Sequence, residues 1–137
     1  MPTSRAEDPR LRRVSSICLA LPETVRERRA RHATFRVRSK VFAYYLHDHH
    51  GDGIVSVCCR TARGENVEWV AARASTFYLP AYIGPRGWVG IRLDIRPIDW
   101  REVAEFVLDS YRLAAPGRLA KQVGSKRRDG ERAAGAA

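Results

Sequence analysis

The chain has 137 residues, a formal net charge of +10 and a sequence pI near 10.4. This length favours one domain that buries a hydrophobic core without disulfides or metal ions. Three cysteines, two of them adjacent, exclude a disulfide framework and fit a reducing compartment. No apolar run approaches the roughly 20 residues of a membrane span. We therefore expect a cytoplasmic protein with a basic surface.

The positive charge lies almost entirely inside the predicted domain. The first ten residues are neutral overall, and residues 124–137 contribute only +2. Arginine outnumbers lysine 22 to 3, as a GC-rich coding bias would produce, but that bias does not explain the shortage of acidic residues. Such a surface attracts polyanions, whether nucleic acid, an acidic protein or an anionic membrane.

The first predicted helix covers residues 9–20. Asp8 followed by Pro9 is typical of a helix start, because aspartate accepts hydrogen bonds from free backbone N–H groups and proline fits the first turn. Apolar residues then recur at helical spacing as far as Leu21, and Pro22 ends the helix. Residues 1–8 are expected to be disordered.

Four segments with strand-like patterns follow the helix. They are residues 24–29, 34–37, 41–47 and 54–59. Phe35 and Val37 are expected to face the core, and Arg36 and Arg38 to face outward, because side chains alternate along a strand. Short connections between these strands predict antiparallel pairing.

The third predicted strand begins after a tight turn near Arg38–Ser39. Neither turn residue favours the positive φ that two-residue hairpin turns require. The alternation along this strand predicts that Val41, Ala43 and Tyr45 share one face. We expect Asp48–Gly53 to form the next turn, because this segment is rich in glycine and aspartate.

A second helix is predicted over residues 64–73. Its apolar residues Val67, Val70 and Ala71 recur at helical spacing, which predicts a short helix.

A loop over residues 78–86 leads into a predicted strand at 87–93 and then into the third helix at 100–113. Asp99 is predicted to cap this helix, whose apolar residues recur along one face. Pro116 breaks the pattern, and residues 118–123 are expected to add a last helical turn.

The predicted element order is α-β-β-β-β-α-β-α. It indicates an α+β, two-layer sandwich in which helices pack on one face of an antiparallel sheet. The predicted domain spans residues 9–123. Residues 124–137 contain glycine, alanine and charge without an apolar period, and are expected to form a disordered basic tail.

Several ordered motifs carry a family resemblance. They are His32-Ala33-Thr34-Phe35-Arg36-Val37, Lys40-Val41-Phe42-Ala43, Tyr82-Ile83-Gly84-Pro85-Arg86-Gly87-Trp88-Val89, Asp99-Trp100 and Ser110-Tyr111-Arg112-Leu113-Ala114-Ala115-Pro116. Together they resemble the MmcQ/YjbR family over roughly residues 11–123. The chain departs from the family pattern at Ala33, where proline is usual, and at Arg38–Ser39, where a glycine-rich turn is usual.

The resemblance implies a compact α+β domain related to the CyaY-like and secretion-chaperone-like arrangements. Members of the family are commonly labelled DNA-binding, with a proposed double-wing motif. On this implication the β-hairpin around residues 38–39 would be a wing.

Charge makes the same hairpin the first candidate site. Five basic residues are predicted to contact nucleic acid: Arg26, Arg28, Arg36, Arg38 and Lys40. A basic β-ribbon lies well along a phosphate backbone or in a groove, whereas a solvated charged face is the structural alternative. Arg26 and Arg28 are expected beside Arg36 and Arg38 on one face of the sheet.

The loop from Tyr82 to Trp88 is the second candidate site. Tyr82 and Arg86 combine a ring and a cation, a pairing that stacks on bases or holds a small anion. Trp88 is instead expected to fill the core under the third helix, because a tryptophan that starts a buried strand usually packs.

Other reactive residues do not form a recognisable catalytic or metal motif. His47, His49 and His50 lie in a turn without a second pair of ligands, so no metal is predicted. Cys58 and Cys59 lie in an apolar strand, where a thiol is inert. No phosphate loop or dinucleotide fingerprint is present. We expect no cofactor and no enzymatic activity.

The sequence therefore predicts a monomeric, non-enzymatic protein that binds nucleic acid with little sequence specificity and does not bind membranes. The predicted interface consists of Arg26, Arg28, Arg36, Arg38, Lys40, Tyr82 and Arg86. Two alternatives stay open: a chaperone-like module for an acidic protein partner, and a small anionic ligand at the Tyr82–Trp88 loop.

Overall fold

The computed structural model describes residues 7–123. Its elements are α1 (Pro9–Leu19), β1 (Thr24–Arg29), β2 (His32–Val37), β3 (Lys40–His47), β4 (Val55–Arg60), α2 (Glu65–Ala72), β5 (Phe77–Tyr78), β6 (Trp88–Arg92) and α3 (Trp100–Ala114). Residues 117–123 are helical as well. The predicted element order is confirmed, with the two-residue strand β5 added before β6.

The predicted disordered tail at 124–137 and most of the predicted N-terminal segment lie outside the described residues. Two residues of that segment, Glu7 and Asp8, instead contact the folded domain. Asp8 accepts a hydrogen bond from the backbone N–H of Arg10 and caps α1. Glu7 forms an ion pair with Arg26 on β1.

The six strands form one open antiparallel sheet in the order β1-β2-β3-β4-β6-β5. Helices α1 and α3 pack on the same face of this sheet, and α2 packs beside β5 and β6. The α+β class with helices on one face is therefore confirmed. The opposite face, which we call the open face, carries no α-helix within residues 7–123.

Apolar side chains from one face of the sheet and from the helices form a single core. Its largest fully buried members are Leu11, Phe35, Phe42, Tyr45, Phe77, Leu93 and Tyr111. Leu11 and Val14 enter it from α1, and Val107 and Tyr111 from α3, in agreement with the helical spacing of apolar residues in the sequence. Removal of this area from water is the main term that stabilises the domain.

Strand β3 departs from strict alternation. Phe35 pairs with Ala43, but the next residue, Arg36, pairs with Val41, so the register shifts and Phe42 is skipped. Phe42 is fully buried against the ring of Tyr111, with a centroid distance of 5.3 Å. The prediction that Val41 shares a face with Ala43 and Tyr45 is wrong, because the irregularity turns Val41 to the side of Arg36.

Both hairpin turns of the first three strands contain two residues. Arg29 pairs with His32 across the first turn, and Val37 pairs with Lys40 across the second. The first residue of each turn, Ala30 and Arg38, has a positive φ of 55° and 58°. The predicted tight turn at 38–39 is therefore present, even though arginine tolerates this conformation poorly.

Helix α2 confirms the predicted second helix and packs on the core through part of its apolar residues. Val67 is 55% exposed, whereas Val70 is partly buried against the core. Trp69 packs against the rings of Phe77 and Phe106, at centroid distances of 5.2 and 5.1 Å. The large indole contributes more buried area than Val67 and orients the helix.

Ser110 joins α3 to the sheet through its buried hydroxyl. The hydroxyl donates to the carbonyl of Phe42 at 2.6 Å and accepts from the backbone N–H of Arg60 at 2.9 Å. We expect Ser110→Ala to lower the free energy of unfolding by about 1–3 kcal/mol, because the carbonyl of Phe42 and the backbone N–H of Arg60 lose their hydrogen-bond partner. Urea denaturation measures this loss. Exposed Ser75→Ala is the control, and an equal loss there would contradict the assignment.

Candidate nucleic-acid interface

A groove with a volume of about 830 Å³ crosses the open face. Strands β2 and β3 supply its floor with Thr34, Tyr44 and Leu46, whose neighbours in sequence point into the core. The connection between β5 and β6 forms one wall and β1 forms the other. We call this feature the open-face groove.

Basic side chains line the β1 side of the groove. Arg28 and Arg29 come from β1, Arg36 comes from the neighbouring strand β2, and Glu27 lies among them. Arg36 donates from Nε to Oε1 of Glu27 at 2.9 Å, and both side chains are solvent-exposed enough that this ion pair contributes little stability. The wall is therefore cationic, with one carboxylate that orients Arg36.

Tyr82 stands on the opposite wall with Pro80, Ala81 and Ile83. Its side chain is 84% exposed, and its backbone has a positive φ of 68°. A tyrosine rarely adopts this conformation, and strained backbone of this kind clusters at ligand sites. The loop thus presents an aromatic ring to solvent at the edge of the groove.

The floor near β5 contains a hydrogen bond between Ser56 and Tyr78. The two hydroxyl oxygens are 2.7 Å apart, and the thiol of Cys58 lies 3.8 Å from each. Burial raises the pKa of Cys58 to about 11 and also raises the pKa of Tyr78. Both groups are therefore protonated at neutral pH and act as neutral hydrogen-bonding groups.

Trp88 and Asn66 support the loop that carries Tyr82. Trp88 pairs with Arg60 across β6 and β4, and its ring lies 5.2 Å from the ring of Tyr44. The prediction that Trp88 packs under the third helix is wrong, because this register turns Trp88 to the open-face side. Buried Asn66 donates to the carbonyls of Gly84 and Trp88 at 2.8 and 3.0 Å.

Histidines line the end of the groove beside the turn between β3 and β4. The rings of His32 and His49 meet edge to face at 5.2 Å, and His50 lies 3.9 Å from His49. Burial, followed by the neighbouring histidines and Arg31, lowers the pKa of His32. Within residues 7–123 no three side chains of the metal-ligating types are arranged to hold a metal ion.

Comparison with known protein families identifies the family of this chain. The YjbR family model matches residues 19–113, well over half of the chain. The chain belongs to the YjbR family. The resemblance inferred from the sequence motifs is thus confirmed.

A solved structure has the same fold as this YjbR domain. Deinococcus radiodurans protein DR2400, a DUF419 domain, superposes with a TM-score of 0.59 at 19% sequence identity. The match covers 73% of this chain and 74% of that chain. At this identity the likeness concerns the fold alone. No curated protein matches the chain.

The YjbR domain brings together three predicted site residues from distant parts of the sequence. Arg28 and Arg36 line one side of the groove, and Tyr82 lines the other. The hairpin and the loop, treated as separate candidates in the sequence, therefore contribute to one surface.

Arg26 and Arg28 do not share a face with Arg36. Arg26 pairs with Phe35, which points into the core, whereas Arg36 pairs with Val25. Arg26 donates to Glu7 at 2.7 Å and to Ser15 at 2.8 Å. The expectation of four arginines on one face is wrong, because antiparallel pairing places Arg26 opposite Phe35 and Arg28 opposite Ala33. Arg28 nevertheless lines the groove at this edge of the sheet.

The other predicted residues lie outside the open-face groove. Arg38 occupies the β2–β3 turn and forms an ion pair with Glu23 at 2.5 Å. Lys40 is exposed at the start of β3. Arg86 lines a separate depression with Arg63 and Asn66. The role of Arg38, Lys40 and Arg86 in nucleic-acid binding therefore stays a prediction.

Sequence reasoning missed several groove residues of the YjbR domain. Arg29, Tyr44 and Tyr78 all line the groove, together with His49 and His50. The alternation of β3 contained a signal for Tyr44, since Ala43 and Tyr45 point into the core. Arg29 and Tyr78 become visible only once strand register is known.

No helix in residues 7–123 is both long enough and apolar enough to cross a lipid bilayer.

Proposed function

We propose that this YjbR domain binds single-stranded nucleic acid in the open-face groove, without catalysis. The observation that carries the proposal is the meeting of Arg29 and Arg36 on one wall with Tyr82 on the other. Single-strand binding proteins combine a basic groove that follows the backbone with aromatic rings on which bases stack.

The exposed aromatic ring favours the groove over the tip of the β2–β3 hairpin. Ion pairs do not distinguish the two surfaces, because Arg38 pairs with Glu23 at the tip and Arg36 pairs with Glu27 in the groove. Tyr82 offers an exposed ring, and only unpaired bases have free faces that stack on it. We therefore expect single strands to bind more tightly than duplexes of equal length.

The chemistry of the floor supports binding and not nucleophilic catalysis. Cys58 is fully buried and its pKa is raised to about 11, so its reactive thiolate form is scarce at neutral pH. Ser56 bonds to Tyr78, whose pKa is also raised, and not to a general base. Tyr78 lines the groove, whereas Ser56 is fully buried beneath it.

Fluorescence anisotropy with a labelled oligonucleotide tests the proposal. We expect Arg29→Gln/Arg36→Gln to weaken single-strand binding by about tenfold or more, because each lost charge-assisted contact is worth about 1.5–3 kcal/mol. Tyr82→Ala should weaken binding by about tenfold through lost stacking. The slope of the logarithm of the binding constant against the logarithm of the salt concentration should become shallower by about 0.7 for each cation removed.

The matched control is Arg38→Gln/Lys40→Gln, which removes the same charge from the same hairpin outside the groove. We expect this variant to retain its affinity within about twofold, beyond a small uniform electrostatic effect. Equal losses in the two pairs, or tighter binding of the duplex, would overturn the groove assignment.

A small organic anion is the second candidate for the same groove. The volume of about 830 Å³ and the mixture of apolar and polar lining are typical of small-molecule sites. Such a ligand would raise the melting temperature and displace the oligonucleotide. If the oligonucleotide binds and no anionic metabolite displaces it, the result favours the nucleic-acid function.

A further inference from the structure

A second basic cavity lies on the helix side of the sheet, away from the open-face groove. It is formed between α1 and the connection from β6 to α3, and its volume is about 780 Å³. Four arginines line it: Arg10, Arg12, Arg13 and Arg96. We call this feature the arginine cleft.

Two of these arginines are fixed by neighbours. Arg10 forms an ion pair with Asp8 at 2.7 Å, and this contact lowers the pKa of Asp8 to about 2. Arg13 lies over the ring of Trp100, with its guanidinium carbon 5.1 Å from the ring centroid. A cation held over an indole face stays charged and is oriented toward the cleft.

No acidic side chain lines the cleft within the described residues. The nearby acidic groups have other partners: Asp8 binds Arg10, Asp94 binds Arg92, and Asp99 caps α3. Arg12, Arg13 and Arg96 thus line one open depression without a carboxylate among its lining residues. An anion bound between these like charges would lower their mutual repulsion.

We propose that the arginine cleft binds a chain of linked phosphates. Guanidinium groups pair with phosphate oxygens through two parallel hydrogen bonds, and several such forks match an anion with several closely spaced charges. Residues 12 and 13 reach the cavity from α1, whereas residue 96 reaches it from the facing connection. The anion therefore lies between two separate segments of the chain.

The density of charge distinguishes this ligand from a nucleic acid. A nucleic acid carries one charge per phosphate and spreads its phosphates along a sugar backbone, whereas linked phosphates concentrate several charges in one place. The three guanidiniums of Arg12, Arg13 and Arg96, which line a single depression, fit the concentrated form. A nucleoside triphosphate and inorganic tripolyphosphate share this chemistry, and Trp100 lines the same cleft.

Isothermal titration calorimetry at low salt tests the cleft with tripolyphosphate, adenosine triphosphate and orthophosphate. We expect saturable 1:1 binding of tripolyphosphate that is at least about tenfold tighter than binding of orthophosphate. Tighter binding of the nucleoside triphosphate than of tripolyphosphate would identify a nucleotide as the ligand, and equal binding would identify the phosphate chain. Both outcomes support the proposal.

Arg12→Gln/Arg96→Gln should weaken tripolyphosphate binding by about tenfold or more, while Arg29→Gln/Arg36→Gln, with the same charge change, should leave it within about twofold. For single-strand binding we expect the reverse: Arg29→Gln/Arg36→Gln should weaken it, and Arg12→Gln/Arg96→Gln should leave it within about twofold. All four arginines lie at or near the surface, so both variants keep the fold, which circular dichroism checks. The proposal is overturned by equal losses in the two variants, by orthophosphate binding as tightly as tripolyphosphate, or by the absence of saturable binding.

Discussion

Replacement of Trp88 by alanine is expected to lower the free energy of unfolding by about 3–5 kcal/mol. The indole is only 7% exposed although it lies on the face of the sheet that has no α-helix. Tyr44 and the loop held by Asn66 enclose it, and the fixed strands β4 and β6 cannot close the space it would leave. Urea denaturation followed by circular dichroism measures the loss.

Tyr82→Ala is the matched control for this substitution, because Tyr82 is an aromatic residue of the same loop. Its ring is 84% exposed, so its removal should change the free energy of unfolding by less than about 0.5 kcal/mol. The two substitutions therefore separate the roles of the loop. We expect Trp88 to stabilise the loop, and the proposed function assigns the ligand contact to Tyr82. A loss below about 1 kcal/mol for Trp88→Ala would contradict this division.

Local patterns predicted most of the architecture. The capping residues Asp8 and Asp99 begin α1 and α3, and helical spacing of apolar residues identified the faces of both helices. Alternation in β2 correctly predicted that Phe35 and Val37 face the core and that Arg36 does not. These features depend on neighbours within a few positions, which the sequence displays directly.

The wrong predictions arose where pairing between distant segments decides the outcome. The irregularity beside Phe35 turns Val41 outward and Phe42 inward, and nothing in the alternation of β3 reveals it. Trp88 faces Tyr44 because β6 pairs with β4 in one register; a shift of one residue would have turned it to the core.

The position of one turn determines on which face of the sheet each arginine of β1 lies. A two-residue turn at positions 30–31 places Val25 opposite Arg36 and Arg26 opposite Phe35. Since Phe35 was predicted to face the core, the turn position alone would have separated Arg26 from Arg36. It was not apparent because Ala30 has no preference for a positive φ.

Alanine at position 90 should disrupt the floor of the open-face groove. A Cβ atom at Gly90 would lie 2.2 Å from Cε1 and 2.5 Å from Cζ of Tyr78, the residue paired with it on β5. Gly90 does not have a positive φ, so the backbone itself accepts alanine. The ring of Tyr78 must therefore move, and its hydrogen bond to Ser56 is lost. We expect a loss of about 1–3 kcal/mol in the free energy of unfolding.

A double-mutant cycle with Tyr78→Ala isolates the cause of this loss. Without the ring, Gly90→Ala should lower the free energy of unfolding by less than about 0.5 kcal/mol, which leaves a coupling energy of about 0.5–3 kcal/mol. The same loss in both backgrounds would place the strain in the strand and not in the contact with Tyr78. Because Tyr78 lines the groove, Gly90→Ala should also weaken single-strand binding, whereas Ser110→Ala, which acts on the helix side, should not.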